Sequence, residues 1–175
     1  RLGIKIHLHC FTNKRPAAPI LKQYCEKVHY YPRKTGLKGF SFSLPYIVSS
    51  RQSDELLKNL LADDAPILFE GVHCTWPLRS GKLLERLVLV RLHNVEYRYY
   101  EQLFRLENEF FRKTYYWWET RQLRKYERWL ATQATLLSMS QTDQEVYRKE
   151  FGAKDIRFLP AFVAWEKVSS EPGKG

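Results

Sequence analysis

Leu87-Val88-Leu89-Val90-Arg91-Leu92-His93-Asn94-Val95-Glu96-Tyr97-Arg98-Tyr99-Tyr100 places an apolar run directly ahead of a polar cluster and an aromatic, helix-like stretch. A buried parallel strand reads as a continuous apolar run, and ligands of open α/β sheets gather at the carboxyl ends of such strands. Arg91, His93, Asn94 and Glu96 therefore stand where chemistry is expected. The same residues also have a structural use. Asn94 can cap the next helix, Glu96 suits the positive end of that helix's dipole, and His93 can satisfy local backbone.

Upstream, Pro66-Ile67-Leu68-Phe69-Glu70-Gly71 reads as a second short buried strand, with Glu70 and His73 at its carboxyl end. Ser53 followed by Asp54, Glu55 and leucines at 56, 57, 60 and 61 marks a capped amphipathic helix just past Arg51. Ile4 to Cys10 alternates apolar and polar residues as a half-covered strand does, and sets His7 and His9 on one face. Two histidines at that spacing, with neither a third histidine nor a carboxylate beside them, make a poor metal set, and no metal is expected. Residues 20–28 suit a short helix and 28–31 an extended segment. The loop after it carries Arg33, Lys34 and Lys38 among Pro32, Gly36 and Gly39, and reads either as a basic flap or as an ordinary connection.

Downstream, neither Gly nor Pro occurs between Gly81 and Gly152. A straight helix over 95–130 would run ~54 Å at ~1.5 Å per residue, too long for a small domain, so it must bend, break or protrude. The expected break is Tyr115-Tyr116-Trp117-Trp118, and the stripe Tyr99, Leu103, Leu106 and Phe110 is expected to pack in the core. Leu136 to Ser140 reads as a strand, Thr142-Asp143-Gln144-Glu145 as a capping box, Gly152 as a helix stop and Ile156 to Pro160 as a last strand. Strands alternating with helices predict an α/β fold: a Rossmann-like parallel sheet with helices on both faces.

The chain has 175 residues, 44% of them hydrophobic, enough for one real core. Cys10, Cys25 and Cys74 form no C-x-x-C pair, which fits a reduced compartment better than a disulfide framework. No apolar run approaches the length of a membrane span. A formal charge of +10 favours phosphate-bearing partners, although Arg and Lys alternate with Glu over 98–128, where a solvated helix face would account for much of it. Arg1-Leu2-Gly3 has the pattern of a helix end, so a first strand-helix unit is expected to be missing, and 166–175 has the composition of a linker.

Three pieces in this order, Val88 to Glu96, then Ser140 with the helix from Asp143 to Phe151 and Gly152, then Asp155-Ile156-Arg157-Phe158-Leu159-Pro160, carry a family resemblance. Over about residues 60–165 the chain resembles the amino-terminal, Rossmann-like half of a GT-B glycosyltransferase, in the large retaining family that includes many bacterial mannosyl- and glucosyltransferases. It departs from that family in lacking the early glycine-rich loop, and in having Ala161-Phe162-Val163-Ala164 where an asparagine-glycine-valine-aspartate linker is usual. The resemblance implies that 1–165 is a truncated acceptor-side domain, followed by a linker toward a carboxyl-terminal domain that would hold the nucleotide-sugar donor.

It further implies a catalytic role for His93 beside the transferred sugar, and substrate contacts from Glu70, His73, Arg91, Asn94, Glu96 and Arg51. The implied acceptor is a glycan or lipid-linked sugar, no cofactor or metal is required, and the fragment alone should be inactive. A cytoplasmic location is expected, on the inner face of the membrane if the basic, aromatic segment 98–128 contacts anionic lipid. No nucleic acid is expected as a partner, because no RNP, KH, zinc or helix-turn-helix signature accompanies the basic residues. A sugar-binding or regulatory domain without catalysis is the alternative, with a basic nucleic-acid-binding module behind it.

Overall fold

The structure, a computed structural model, describes residues 3–13 and 16–161. Six strands, all paired in parallel, alternate with helices, the α/β architecture expected of a Rossmann-like chain. β1 (His7–Thr12) pairs with β2 (Lys27–Pro32). β3 (Ile67–Glu70), β4 (Val88–Leu92), β5 (Thr135–Ser138) and β6 (Ile156–Phe158) form a second sheet in sequence order. Two short helices, α1 (Tyr46–Ser49) and α2 (Asp54–Leu60), link the sheets. α3 (Glu96–Leu106) and α4 (Phe110–Leu130) connect β4 to β5, and α5 (Gln141–Phe151) connects β5 to β6.

The strands follow the apolar runs closely, yet β4 is not equally covered on its two faces. Val88, Val90 and Leu92 are sealed, whereas Leu89 and Arg91 keep partial access to solvent, and β3 exposes Leu68 while burying Ile67 and Phe69. The sealed face joins Leu123, Tyr126 and Leu130 of α4 and Val146, Tyr147 and Phe151 of α5 in one core. β1 begins three residues later than its alternation starts, and the helix expected over 20–28 is only a 3-10 turn at Pro19–Gln23, where prolines at 16 and 19 limit the hydrogen bonding.

β1 and β3 each end a sheet, so each has one edge without a strand partner among the described residues. Successive residues of a parallel strand turn their backbone groups to opposite neighbours. Lys27 and Arg33 donate to Ile6 and Thr12, so His7, His9 and Phe11 face the other edge of β1. By the same alternation Leu68 and Glu70 face away from β4. Both edges line one largely apolar cavity of about 780 Å³, floored by Leu56 and Leu60 of α2.

Two expectations for the long helix fail. It breaks at Glu107-Asn108-Glu109 and not at the aromatic run: Glu107 accepts from the Asn108 and Glu109 amides, and the Glu109 carboxylate caps α4 through Phe111 and Arg112. Local carboxylate-to-amide bonds compete with helix here, while the aromatic run stays helical by dividing its rings between faces. Tyr116 meets Tyr100 of α3 edge-on, and Trp117 turns outward under Arg121. The stripe assigned to the core is largely outside: Leu106 is 79% exposed and Phe110 74%, and only Leu103 is partly covered. The inward positions of α3 are Tyr97 and Tyr100.

The helix starts also differ from expectation. α5 is capped by Ser140, which accepts from the Asp143 amide, two residues before the capping box read at Thr142. α3 begins after Val95 with no local side-chain cap, so Asn94 does not serve it. Glu127 of α4 does: its carboxylate accepts from the Glu96 and Tyr97 amides at 2.8 and 3.0 Å and from the Tyr147 hydroxyl at 2.7 Å. Eight residues earlier on the same helix, Glu119 accepts twice from the Tyr46 amide and so caps α1. Both carboxylates are sealed from solvent.

Burial pushes the Glu127 carboxyl up to about 7, opposed by its three donors. The folded chain therefore holds a proton there that the unfolded chain releases near the ordinary value of 4.5. Between those two values stability falls as pH rises, and above them the contribution is constant. Relative to Glu127→Gln, the native protein should lose roughly 3 kcal/mol between pH 4 and pH 8. Urea unfolding of both proteins across that range measures it, and parallel stability curves would contradict it.

Candidate functional site

Carboxyl ends of adjacent parallel strands bring Glu70 of β3 and Arg91 of β4 into register. Glu70 joins two basic side chains: Arg91 Nη1 lies 3.3 Å from one carboxylate oxygen and His93 Nε2 3.2 Å from the other. His93, just past β4, is exposed, so its ring is available to a ligand instead of being locked in the core. A carboxylate on one ring nitrogen fixes the orientation of the imidazole.

His73 sits behind this cluster. Gly71 ends β3 with φ +97°, a backbone conformation costly for any residue with a Cβ, and the chain then turns back so that the His73 ring packs over Gly71. A Cβ on Gly71 would come within 2.5 Å of that ring. Burial, with Arg51, His93 and Arg33 nearby, pushes the His73 imidazole down to about 4, which keeps it neutral. Arg51 follows α1, donating from Nη1 to the Ile47 carbonyl at 2.7 Å. Glu96, in the first turn of α3, is raised by burial while Arg51 pulls it back.

Glu70, His73, Arg91, His93, Asn94 and Glu96 thus stand at or beyond the carboxyl ends of β3 and β4, whereas Arg51 follows the end of α1. Glu70 contacts both Arg91 and His93, and His73, Arg51 and Glu96 interact electrostatically beside them. Asn94 is partly covered between His93 and the start of α3. His7 and His9 belong elsewhere: His9 stacks on His29 and hydrogen-bonds the Tyr31 hydroxyl at 2.8 Å, and His7 lies 3.5 Å from Asp63. Sequence reasoning left Arg33 among the loop cations. Its one distinguishing mark was its place two residues past the extended segment 28–31, a strand-end position like that of His93.

No protein-family model matches the chain, and no solved structure does. A Klebsiella pneumoniae protein described as an uncharacterized 44.6 kDa protein in the cps region is 33% identical over 116 residues, which is 62% of this chain and 30% of that relative. The chain thus spans less than a third of the curated relative it matches.

Gly71→Ala should strain the turn by about 1–3 kcal/mol and force the His73 ring out of its buried position. The imidazole should then titrate above its native value of about 4. Denaturation together with NMR titration of the His73 ring checks both, and an unchanged titration would show that Gly71 does not set the position of His73.

Proposed function

We propose that this chain is the acceptor-side domain of a retaining GT-B glycosyltransferase, which moves a sugar from a nucleotide-sugar donor to a glycan or lipid-linked acceptor. The observation that carries the reading is the Glu70–Arg91–His93 cluster on the carboxyl ends of two parallel strands, where open α/β sheets bind ligands. Similarity to a cps-region protein supports a place in the synthesis of capsular or other envelope polysaccharide. The donor nucleotide would be held by a further domain, and the reaction needs no cofactor.

In this reading the departing diphosphate takes the acceptor's proton, so the domain contributes position and charge instead of a nucleophile. His93, held by Glu70, meets a hydroxyl of the transferred sugar or the charge developing on it. Neutral His73, Asn94 and Glu96 offer hydrogen bonds to acceptor hydroxyls. Arg91 and Arg51 supply positive potential. With the complete polypeptide, His93→Ala should lower sugar transfer by about 100-fold, within the range for lost electrostatic or acid-base groups, and leave the circular dichroism unchanged. Full turnover in that variant would remove His93 from the mechanism. Acceptor binding with no transfer by the native protein would favour a sugar-binding domain.

The α3–α4 hairpin supports a cytoplasmic, membrane-facing placement. Among the described residues no helix is long and apolar enough to cross a membrane. At the hairpin tip, however, Leu106, Phe110 and Phe111 project beside Arg105, Arg112 and Lys113. Exposed apolar side chains flanked by basic ones suit the interface of an anionic bilayer. Arg98 and Arg124 are excluded from that role, since both face Glu150, and so is Arg105, which pairs with Glu101. Arg112 and Lys113 at roughly 1 kcal/mol each, together with the apolar tip, should give salt-sensitive binding to vesicles containing phosphatidylglycerol, lost in Leu106→Asp/Phe111→Asp. Equal binding by that variant in a sedimentation assay would refute the placement.

A further inference from the structure

Arg33 and Arg51 stand together at the carboxyl side of the β1–β2 sheet, and each is fixed at one point. Arg33 follows β2 and donates from Nε to Ser50 Oγ at 3.1 Å, with its guanidinium 5.8 Å from the Tyr46 ring centre. Its backbone is pinned as well, the Arg33 amide donating to Thr12 and the Lys34 amide to Ser50. Arg51 is tied to Ile47 through Nη1 alone. The Arg33 guanidinium is close enough to disfavour the charge on Arg51, and both act on His73 in the same sense.

Neither has a carboxylate within 4.0 Å among the described residues, whereas Arg86, Arg91 and Arg98 each do. The carboxylate that acts on Arg51 is Glu96, itself pushed toward its neutral form by burial. Two like charges held together, partly desolvated and unpaired, are costly unless an anion joins them.

We propose that Arg33 and Arg51 form a phosphate subsite, with His73 at its inner wall. After the bonds to Ser50 and Ile47, both guanidiniums keep N–H donors to spare, and planar forks of this kind match phosphate oxygens. One fork satisfies the two oxygens of a carboxylate. Two neighbouring forks, anchored on Ser50 and on Ile47 of the same turn, suit an anion with more oxygens, which favours phosphate. The subsite lies beside the His93 cluster, and it rests on the proposed function only in assigning this phosphate to the acceptor. Such a phosphate could belong to a soluble sugar phosphate or to a lipid-linked one.

Calorimetric titration of the 175-residue chain with inorganic phosphate, glucose 1-phosphate and glucose tests the soluble source, and sedimentation with phosphatidylglycerol vesicles tests the lipid-borne one. The first two ligands should bind and glucose should not. Arg33→Gln and Arg51→Gln should each weaken phosphate binding at least tenfold, while Arg79→Gln, whose guanidinium stacks on Trp129, should leave it unchanged. Arg51→Lys keeps the charge without the fork, so it should fold normally and still bind more weakly. Vesicle binding that depends on Arg33 and Arg51, without soluble binding, would assign the site to a lipid phosphate. No phosphate-dependent binding in either arm, or equal binding by the Arg33 and Arg51 variants, would overturn the proposal. Because these measurements need no sugar transfer, a failed transferase assay beside intact phosphate binding would count against the proposed function and not against the subsite.

Discussion

Two carboxylates on one helix hold this structure in register. Glu119 and Glu127 lie eight residues apart on α4, share its inward face with Leu123, Tyr126 and Leu130, and reach across to the first amides of α1 and α3. A helix start leaves N–H donors without partners, and burying them unsatisfied is costly. Here the acceptor is supplied by another helix, so each cap is also a tertiary contact spanning 73 and about 30 residues of sequence. The cost of burying two carboxylates appears as their raised proton affinity.

The site depends on those caps. α1 leads directly to Ser50 and Arg51, and Ser50 fixes Arg33; the first turn of α3 carries Glu96 and follows His93 and Asn94. Glu119 therefore positions the two arginines, and Glu127 positions the polar residues beyond β4. The strands contribute the remainder: parallel register sets Glu70 level with Arg91, and the left-handed Gly71 folds His73 behind them. Polar side chains that look like independent choices in sequence are held through a common helix.

The strands and the polar cluster beyond them were legible because burial of a parallel strand leaves a direct mark: an apolar run ending in polar residues. β3, β4 and the Glu70, Arg91, His93 group follow from that mark alone. What pattern reading missed was set by distant partners. Asn94 had the composition of a cap, yet the cap came from Glu127, and nothing near Asn94 announces it. Glu119 and Glu127 read as members of an alternating charged face, although their spacing with Leu123 and Leu130 set them on the apolar side. The stripe through Leu106 and Phe110 has helical periodicity without a core to meet it, because the hairpin turns at Glu107 to Glu109 and carries its tip clear of the sheet. Periodicity identifies a face, but not what lies against it.

The central claim is that buried carboxylates of α4 anchor the site-bearing helix starts, and backbone amide exchange measured residue by residue tests it most directly. In Glu119→Ala, exchange at Tyr46 and the following α1 amides should accelerate while the Glu96 and Tyr97 amides keep their native rates. In Glu127→Ala the pattern should reverse, and the amides of β4 and β5 should be little changed in either variant. Uniform acceleration across the sheet, or no change at Tyr46 and Tyr97, would contradict the account.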